Sequence, residues 1–215
     1  GNIITGGCWM SKYVITIARG YGSGGRTIGK MLSEELNIPY YDRELLRLAS
    51  DDSGINEELF AKADEKIKKT RLFRIARKTY TGELIPPDSD DFVSNDNLFN
   101  YQAKIIKELA ETESCVIVGR CADFVLKDYE NVVKLFVHAP LKDCIATLKG
   151  MTGDSEKEIE KKIHSIDKHR AEYYEYYTGR KWDNAGNYDL CLNSSQLGFK
   201  KCLEIVKAYM DIRFR

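Results

Sequence analysis

A glycine-rich segment has the spacing of a phosphate-binding loop. It reads Gly-Tyr-Gly-Ser-Gly-Gly-Arg-Thr from Gly20 to Thr27, which matches the pattern G-x-x-x-x-G-K-[ST] at all but one position. Glycines let consecutive backbone N–H groups curl around phosphate oxygens, and a helix that begins at the loop adds the positive end of its dipole. The predicted phosphate-binding residues are Gly20, Gly22, Ser23, Gly24, Gly25, Arg26 and Thr27. The alternative is a strand-to-helix turn that binds no ligand.

Arg26 stands where the pattern has lysine. Arginine carries the same charge, but its wide planar guanidinium differs in shape from the compact ammonium of lysine. Thr27 follows, and its hydroxyl is the group that usually helps to hold Mg²⁺ on the β- and γ-phosphates. We therefore expect Arg26 to act on phosphate through its charge, and Thr27 to be a ligand of the metal.

A second group of charged residues lies on a predicted long helix. Arg170 falls on the inward-facing stripe of this helix, with Asp167 one turn before it. The stripe comprises Ile159, Ile163, Ile166, Arg170, Tyr173 and Tyr177. An isolated buried charge is unfavourable, so such an arginine must be paired or must face a polar cleft. Either Asp167 and Arg170 form a structural ion pair, or Asp167 orients Arg170 toward an anionic ligand.

Arg120 follows a short apolar run, Cys115 to Val118, and the glycine after it. Its guanidinium should emerge at the carboxyl ends of the strands, which is where open α/β sheets bind ligands. Arg120 is therefore a candidate ligand-binding residue, with a surface salt bridge as the alternative.

The elements that must position these residues alternate between strand and helix. Short apolar and aromatic runs predict strands at 13–18, 40–41, 115–118, 132–137 and 188–192. Helical spacing follows the glycine-rich loop, a Ser155-x-x-Glu158 capping box opens the long helix, and a last helix runs from Ser195 onward. Right-handed crossovers between such strands give a mostly parallel sheet. The predicted fold class is an α/β P-loop three-layer sandwich, with a five-stranded sheet covered by helices on both faces.

The length of the chain allows one domain with additional segments. Residues 1–12 lack the pattern of a signal peptide and are interpreted as an N-terminal extension, and residues 13–215 are predicted to form a single domain. Residues 43–110 are predicted to form a helical insertion that caps the core on the acceptor side, and residues 149–156 are predicted to form a short lid. A basic run at 66–78 is interpreted as a solvated helix face, with a contribution to acceptor or nucleic-acid binding as the alternative.

Composition argues against several classes of protein. Lys and Arg number 33, as do Asp and Glu, and this zero net charge disfavours attraction of the whole surface to nucleic acid or to anionic lipid. No apolar run approaches the ~20 residues that span a bilayer. The six cysteines include no C-x-x-C pair, and Cys115 and Cys191 lie in apolar runs, which predicts buried reduced thiols in a cytoplasmic protein. Whether the chain forms a homo-oligomer is left open.

Several segments together resemble the cytidylate kinase-like family, a branch of the P-loop nucleoside monophosphate kinases. They are ITIARGYGSGGRTIGKMLSEELNIPYYDREL from Ile15, VGR from Val118, IDKHRAEYYEYYTGRKW from Ile166 and YDLCLNSS from Tyr188. The resemblance implies that the glycine-rich loop binds the phosphates of ATP with Mg²⁺, and that Asp42 and Arg120 border an acceptor nucleotide. It also implies that Asp167 and Arg170 form the lid-side D-x-x-R motif, which contacts transferring or acceptor phosphates. Arginine at the position of Arg26 is usual in this family.

The same resemblance implies ATP-dependent phosphoryl transfer to a nucleoside monophosphate, with CMP or dCMP as the expected acceptor. Two features depart from better-characterised cytidylate kinases, since Ile163 stands where they carry an arginine and residues 148–151 make a lid with fewer arginines. A P-loop kinase for another small-molecule acceptor and a non-catalytic nucleotide-binding regulator are the alternatives. The transfer itself needs no general base, because a phosphate with a second pKa of about 6 is largely dianionic at neutral pH.

Overall fold

The computed structural model describes residues 12–66 and 82–214, and its centre is a sheet of five parallel strands. In chain order the strands are β1 (Val14–Arg19), β2 (Tyr40–Tyr41), β3 (Cys115–Val118), β4 (Val132–His138) and β5 (Leu190–Asn193). They lie side by side in the order β2-β3-β1-β4-β5, and every neighbouring pair is parallel. The five predicted strands and their parallel arrangement are confirmed.

β1 lies where the strand order reverses, since β3 pairs with one of its edges and β4 with the other. At such a switch point the connections from neighbouring strands leave in opposite directions and open a crevice beyond the carboxyl ends. The glycine-rich loop follows β1 directly, at Gly20. The topology therefore puts the loop at the crevice where α/β sheets bind ligands.

The helices of the described residues connect and cover these strands. They are α1 (Gly25–Leu36), α2 (Glu44–Ser53), α3 (Glu57–Lys66), α4 (Asn95–Thr112), α5 (Ala122–Val125), α6 (Leu141–Lys149), α7 (Glu156–Thr178) and α8 (Ser194–Arg213). The predicted capping box is present at the start of α7, where the side chains of Ser155 and Glu158 each accept a hydrogen bond from the backbone of the other. α8 is interrupted by a kink at Gly198, with φ 72° and ψ 160°.

Two apolar cores lie on opposite faces of the sheet because side chains alternate along each strand. Ile15 and Ile17 pack with α1 and α8 on one face, whereas Val14 and Ile117 pack with α2, α4 and α5 on the other. Every residue of β3 is buried, as expected for a parallel strand covered on both sides. Full burial of each such side chain contributes roughly 1.5–3 kcal/mol. The three-layer architecture is thus confirmed.

The segment predicted as an insertion supplies α2, α3 and α4. Of these, α4 contributes Leu98, Phe99 and Ile106 to the buried core beneath the sheet. Almost all of the basic run at 66–78 lies outside the described residues. The segment predicted as a lid forms the connection from α6 to α7. Within 12–66 and 82–214, no helix combines the length and apolarity that a bilayer crossing requires.

The prediction of a buried thiol is wrong for Cys191, which is exposed. β5 is an edge strand, and its Leu192 faces the core with 5% exposure. Alternation along the strand therefore turns Cys191 to the opposite, uncovered face. The free thiols of Cys115, Cys121, Cys144 and Cys202 are buried, and Cys8 lies outside the described residues.

Candidate active site

The loop between β1 and α1 is held in place by hydrogen bonds to β4, within the loop itself and from α8. The Gly20 amide donates to the Val137 carbonyl at 3.0 Å, and the Ser23 hydroxyl donates to the Gly20 carbonyl at 2.7 Å. The hydroxyl of Ser194, at the start of α8, donates to the Ser23 carbonyl at 2.6 Å. Ser23 is 2% exposed, so its side chain stabilises the loop from inside.

Glycine is required at two loop positions for different reasons. Gly24 has φ 84°, in the left-handed region, and a Cβ on it would overlap the ring of Phe199. Gly25 begins α1, and a Cβ on it would overlap the Cβ of Arg19. Gly24 offers no capping side chain, and the first turn of α1 holds no acidic residue. The N–H groups and positive dipole end of α1 are therefore available to an anion.

A first cavity, of about 200 Å³, lies directly on this loop, and we call it the loop cavity. Its walls contain every predicted phosphate-binding residue except Ser23. Leu148 at the end of α6 and Met151 in the connection to α7 form part of the opposite wall. Thr27 is exposed at the surface of the protein. The loop thus borders open space and is not filled by its own side chains.

A second cavity, of about 290 Å³, lies beyond the carboxyl ends of β1, β2 and β3, and we call it the acceptor-side cavity. Asp42 and Arg120, the residues predicted to border an acceptor nucleotide, both line it. Other walls combine aromatic and polar side chains, namely Arg43, Asp123, His169, Tyr173, Tyr174 and Trp182. Apolar and aromatic walls with a few polar groups are typical of small-molecule sites.

The two cavities meet at arginines. Arg19, Arg26 and Arg170 are the residues common to both linings. A group that moves from one cavity to the other must pass these guanidinium groups, each of which can bind phosphate through two hydrogen bonds. The junction is therefore the most cationic part of both linings.

Arg26 joins the loop to the acceptor-side cavity. Its Nε donates to Oδ2 of Asp42 at 2.7 Å, so a residue from the loop and a residue from the end of β2 form an ion pair. The Asp42 side chain is 11% exposed, whereas that of Arg26 is 55% exposed. The carboxylate thus fixes a guanidinium that remains accessible to a ligand.

Asp167 and Arg170 of α7 contact the loop as well as each other. Oδ1 of Asp167 accepts from the Tyr21 amide at 2.8 Å and lies 3.7 Å from Nη1 of Arg170. Nη1 of Arg170 donates to the Arg19 carbonyl at 3.1 Å, and the guanidinium carbon lies 5.7 Å from the ring centroid of Tyr21. Burial raises the pKa of Asp167 and lowers that of Arg170. α7 therefore fixes the entry to the loop and brings Arg170 to the junction.

Arg120 enters the wall of the acceptor-side cavity through a strained turn. Gly119, Arg120 and Cys121 have φ values of 72°, 59° and 53°, all in the left-handed region. For residues with a Cβ this conformation is unfavourable by about 1–2 kcal/mol each. Such strain is concentrated at functional sites, where the surrounding structure maintains it.

A buried carboxyl group, Asp123, also lines the acceptor-side cavity. It lies in the first turn of α5 with 6% exposure, and the Tyr174 hydroxyl donates to its Oδ2 at 2.7 Å. Burial raises the pKa of Asp123 to about 6, although the hydrogen bond from Tyr174 opposes the shift. The cavity thus contains a polar group suited to hydrogen bonding with the edge of a bound ring.

Ile163 has an apolar role in this chain. It is 4% exposed and packs with Cys144, Leu148 and Ile159 between α6 and α7. The position that carries an arginine in better-characterised cytidylate kinases therefore joins the two helices that flank the predicted lid.

Sequence reasoning gave no role to Arg19 or Asp123. The strand-end rule that points to Arg120 also places Arg19 at the ligand-binding edge of the sheet, since Arg19 ends β1, but it does not say what the side chain does there. Asp123 had no comparable signal, because its place in the cavity depends on how α5 packs beneath α7.

Comparison with known proteins agrees with this geometry. The family model of the cytidylate kinase-like family matches residues 14–196. A cytidylate kinase from Methanosarcina barkeri (strain Fusaro / DSM 804) is 26% identical over 201 residues, which cover 92% of this chain and 96% of the relative.

Solved structures share the fold along nearly the whole chain. An uncharacterized protein from Eubacterium ventriosum ATCC 27560 has a TM-score of 0.68 and 26% identity, with 93% of this chain and 99% of that protein covered. A shikimate kinase from Bacteroides thetaiotaomicron has a TM-score of 0.52 and 14% identity, and the match covers 93% of this chain and 98% of that kinase. The chain therefore belongs to the cytidylate kinase-like family and is a phosphotransferase of the nucleoside monophosphate kinase-like type.

Proposed function

We propose that the protein transfers the γ-phosphoryl group of ATP to a nucleoside monophosphate, and that this acceptor is CMP or dCMP. The observation that carries the proposal is the meeting of the loop cavity and the acceptor-side cavity at shared arginines. One cavity holds the donor triphosphate, the other holds the acceptor, and the transferring group crosses the junction. The similarity to a cytidylate kinase supports cytosine as the base.

The donor phosphates bind the glycine-rich loop from Gly20 to Thr27. Backbone N–H groups at the start of α1 surround the terminal phosphates, because no side chain caps them. Arg26 supplies positive charge from the position where the loop pattern has lysine.

Mg²⁺ fits this donor site as an ion carried mainly by the phosphates. Among the described residues, no group of three or more His, Cys, Asp or Glu side chains is arranged to hold a metal ion. Mg²⁺ usually keeps several waters and takes few protein ligands beside phosphate oxygens, so the exposed hydroxyl of Thr27 is a sufficient protein ligand. When bound, the ion neutralises charge that develops on the β- and γ-phosphates.

The acceptor nucleotide lies in the acceptor-side cavity. Arg120 and Arg170 contact its phosphate, Asp42 borders it, and the aromatic walls pack against the base. Asp123 offers a polar partner for the edge of the base. Asp42 and Arg120 thus belong to the acceptor side, and Arg26 and Arg170 act at the junction.

Transfer between the two sites depends on positioning and positive charge. The acceptor phosphate is largely dianionic at neutral pH, so no side chain has to remove a proton. In-line placement and guanidinium groups over the equatorial oxygens lower the barrier. The connection between Lys149 and Glu156 closes over the loop cavity and excludes water that would otherwise hydrolyse ATP.

A coupled ADP-release assay across ribonucleoside and deoxyribonucleoside monophosphates tests the proposal. We expect the highest kcat/KM with CMP or dCMP, and chromatography should identify the matching nucleoside diphosphate as product. Transfer to a different small molecule would favour the other kinase hypothesis. Tight ATP binding without transfer to any nucleotide would favour the non-catalytic regulator, and either result would overturn the assignment.

A further inference from the structure

Arg19, the last residue of β1, lies at the junction of the two cavities but outside the loop pattern. Neighbouring glycines make room for it. A Cβ on Gly25 would overlap the Cβ of Arg19, and a Cβ on Gly119 would lie 2.8 Å from its Nη1. The carbonyl of Arg19 accepts a hydrogen bond from Arg170. The side chain is therefore held between the loop and the end of β3.

The guanidinium of Arg19 lacks the partners that an enclosed charge normally has. Its Nε is buried without a hydrogen-bond partner in the described part of the chain, and no described carboxylate forms an ion pair with it. Asp42 and Asp167 are close enough for their charges to affect Arg19, but both carboxylates bond to other groups. Asp42 accepts a hydrogen bond from Arg26, and Asp167 accepts one from the amide of Tyr21.

Arg19 is also surrounded by other cations. Burial lowers its pKa well below the usual range for arginine, and the charges of Arg170, Arg26 and Arg120 add to this effect, which Asp42 partly opposes. A charge in such a place destabilises the protein unless an anion joins it. An apolar side chain would fill the same space without that penalty, so packing alone does not account for an arginine here.

We infer that Arg19 is a further catalytic residue, whose guanidinium contacts the phosphoryl group as it passes between the loop cavity and the acceptor-side cavity. This inference rests on the proposed function. In the transfer, an acceptor phosphate oxygen forms a bond to the γ-phosphorus. The bond from that phosphorus to the β–γ bridging oxygen breaks, and its electron pair stays on the ADP that leaves. Arg19 exchanges no proton in this step and donates hydrogen bonds to the equatorial oxygens.

The fixed position of Arg19 suits this role. Donors that are already oriented toward developing charge need no reorganisation when the reaction occurs. Gly25 and Gly119 lie against the side chain, and Arg170 fixes the backbone carbonyl of the same residue, in the protein without substrates. The missing partner of Arg19 is then the transferring group itself.

Arg19→Ala is the first test, because it removes the guanidinium and keeps the Cβ that contacts Gly25. We expect kcat to fall by about 10²–10³-fold, as for loss of one preorganised donor. The dissociation constants of ATP alone and CMP alone should change by less than about threefold, since the lost contact forms mainly in the transition state. An adenosine–cytidine pentaphosphate that spans both cavities should bind at least about tenfold more weakly.

Chemical rescue separates catalysis from structure. Low concentrations of guanidinium chloride should raise the rate of Arg19→Ala by at least about tenfold, because a free guanidinium replaces the lost charge. Urea has a similar planar shape but no charge, and it should give no rescue. The midpoint of thermal unfolding should not decrease in this variant, because the substitution removes an unpaired charge from a group of cations.

Arg213→Ala is the matched control. Arg213 donates to the carbonyls of Val132 and Glu130, at the amino end of β4 and thus at the opposite end of the sheet. This variant should lose stability and keep its kcat. If Arg19→Ala does not fold, Arg19→Lys retains the charge and most of the length and decides the question, with kcat at least about tenfold lower as the expected result.

Separate outcomes refute the inference and the function on which it rests. Wild-type kcat in Arg19→Ala, or in Arg19→Lys if the alanine variant does not fold, would refute the inference, as would equal rescue by urea and guanidinium. Absence of phosphoryl transfer by the wild-type protein would overturn the proposed function and the inference with it. Transfer by the wild-type protein with an unaffected Arg19→Ala would overturn the inference alone.

Discussion

Arg170 contacts the backbone at the start of the loop and lines both cavities with the same guanidinium. Replacing it with alanine removes a positive charge from the junction and a hydrogen bond to the Arg19 carbonyl. We expect Arg170→Ala to lower kcat/KM by roughly 100-fold, because the loss of one preorganised donor to a transferring group typically slows a reaction by about this factor. Initial rates in the ADP-release assay with CMP measure the effect.

Lys168→Ala provides the control for Arg170, because Lys168 is exposed on the same helix. This variant should retain wild-type turnover. Unchanged turnover in Arg170→Ala would mean that Asp167 and Arg170 form only a structural pair, which was the alternative that the sequence left open.

Asp123 makes the stability of the folded protein depend on pH. Its pKa is raised to about 6 by burial, above the ~3.9 of an unfolded chain. The folded state therefore holds the proton more tightly, and this contribution to stability is full below about pH 4 and is lost as the pH rises through about 6. Relative to Asp123→Asn, the wild-type free energy of unfolding should fall by about 1 kcal/mol per pH unit in that window.

Urea titrations of both proteins between about pH 4 and pH 7 measure this difference. The hydrogen bond from Tyr174 lowers the pKa of Asp123, so Tyr174→Phe should raise that pKa further. The loss of stability with rising pH should then extend to higher pH in this variant. A difference between wild type and Asp123→Asn that does not change with pH would contradict the assignment of Asp123 as the titrating group.

The turn between β1 and α1 has no room for a side chain at Gly25. A Cβ there would overlap the Cβ of Arg19 and lie 2.8 Å from its Cγ. Gly25→Val should therefore displace the loop or Arg19 and abolish ATP binding, which isothermal titration measures. Gly54→Ala is the control, because Gly54 has φ 73° but open space around it. It should lose about 1 kcal/mol of stability through backbone strain and still bind ATP. Retained ATP affinity in a folded Gly25→Val protein would refute the loop assignment.

Local signals in the sequence predicted most of the regular structure. The apolar runs Cys115–Val118 and Val132–Val137 are strands because parallel strands bury both faces, which leaves little choice of residue. The capping box at Ser155 predicted the start of α7 for a similarly local reason, since both of its hydrogen bonds form within four residues of chain. The glycine-rich loop was recognisable because its backbone conformation restricts residue type.

Contacts between distant segments could not be predicted in the same way. The ion pair of Arg26 with Asp42 depends on the distance between the start of α1 and the end of β2 in the folded sheet. The exposure of Cys191 depends on β5 being an edge strand, which follows from strand order and not from the apolar run. The kink at Gly198 falls inside the segment that was predicted as one helix from Ser195 onward.

Positive charge in this molecule is distributed unevenly although the totals balance. Lys and Arg number 33 and so do Asp and Glu, so the whole chain exerts little net attraction on a nucleotide. The charges of Arg26, Arg120 and Arg170 nevertheless all act on Arg19, at the carboxyl end of β1. Attraction for phosphate is therefore local to the junction, and part of the folding free energy is used to hold like charges together.

Occupation of this junction by phosphate should consequently stabilise the whole fold. At about 100 times its dissociation constant, a ligand that binds only the folded state adds about 2.7 kcal/mol, which for a chain of this length raises the midpoint of thermal unfolding by roughly 5–10 °C. We expect this shift with ATP and CMP together, as measured by calorimetry. Adenosine and cytidine at the same concentrations carry the bases and sugars without phosphate and should produce little shift. If the nucleosides raised the midpoint as much as the nucleotides, recognition would lie in the aromatic walls of the acceptor-side cavity, and the arginines at the junction would not be the main source of affinity.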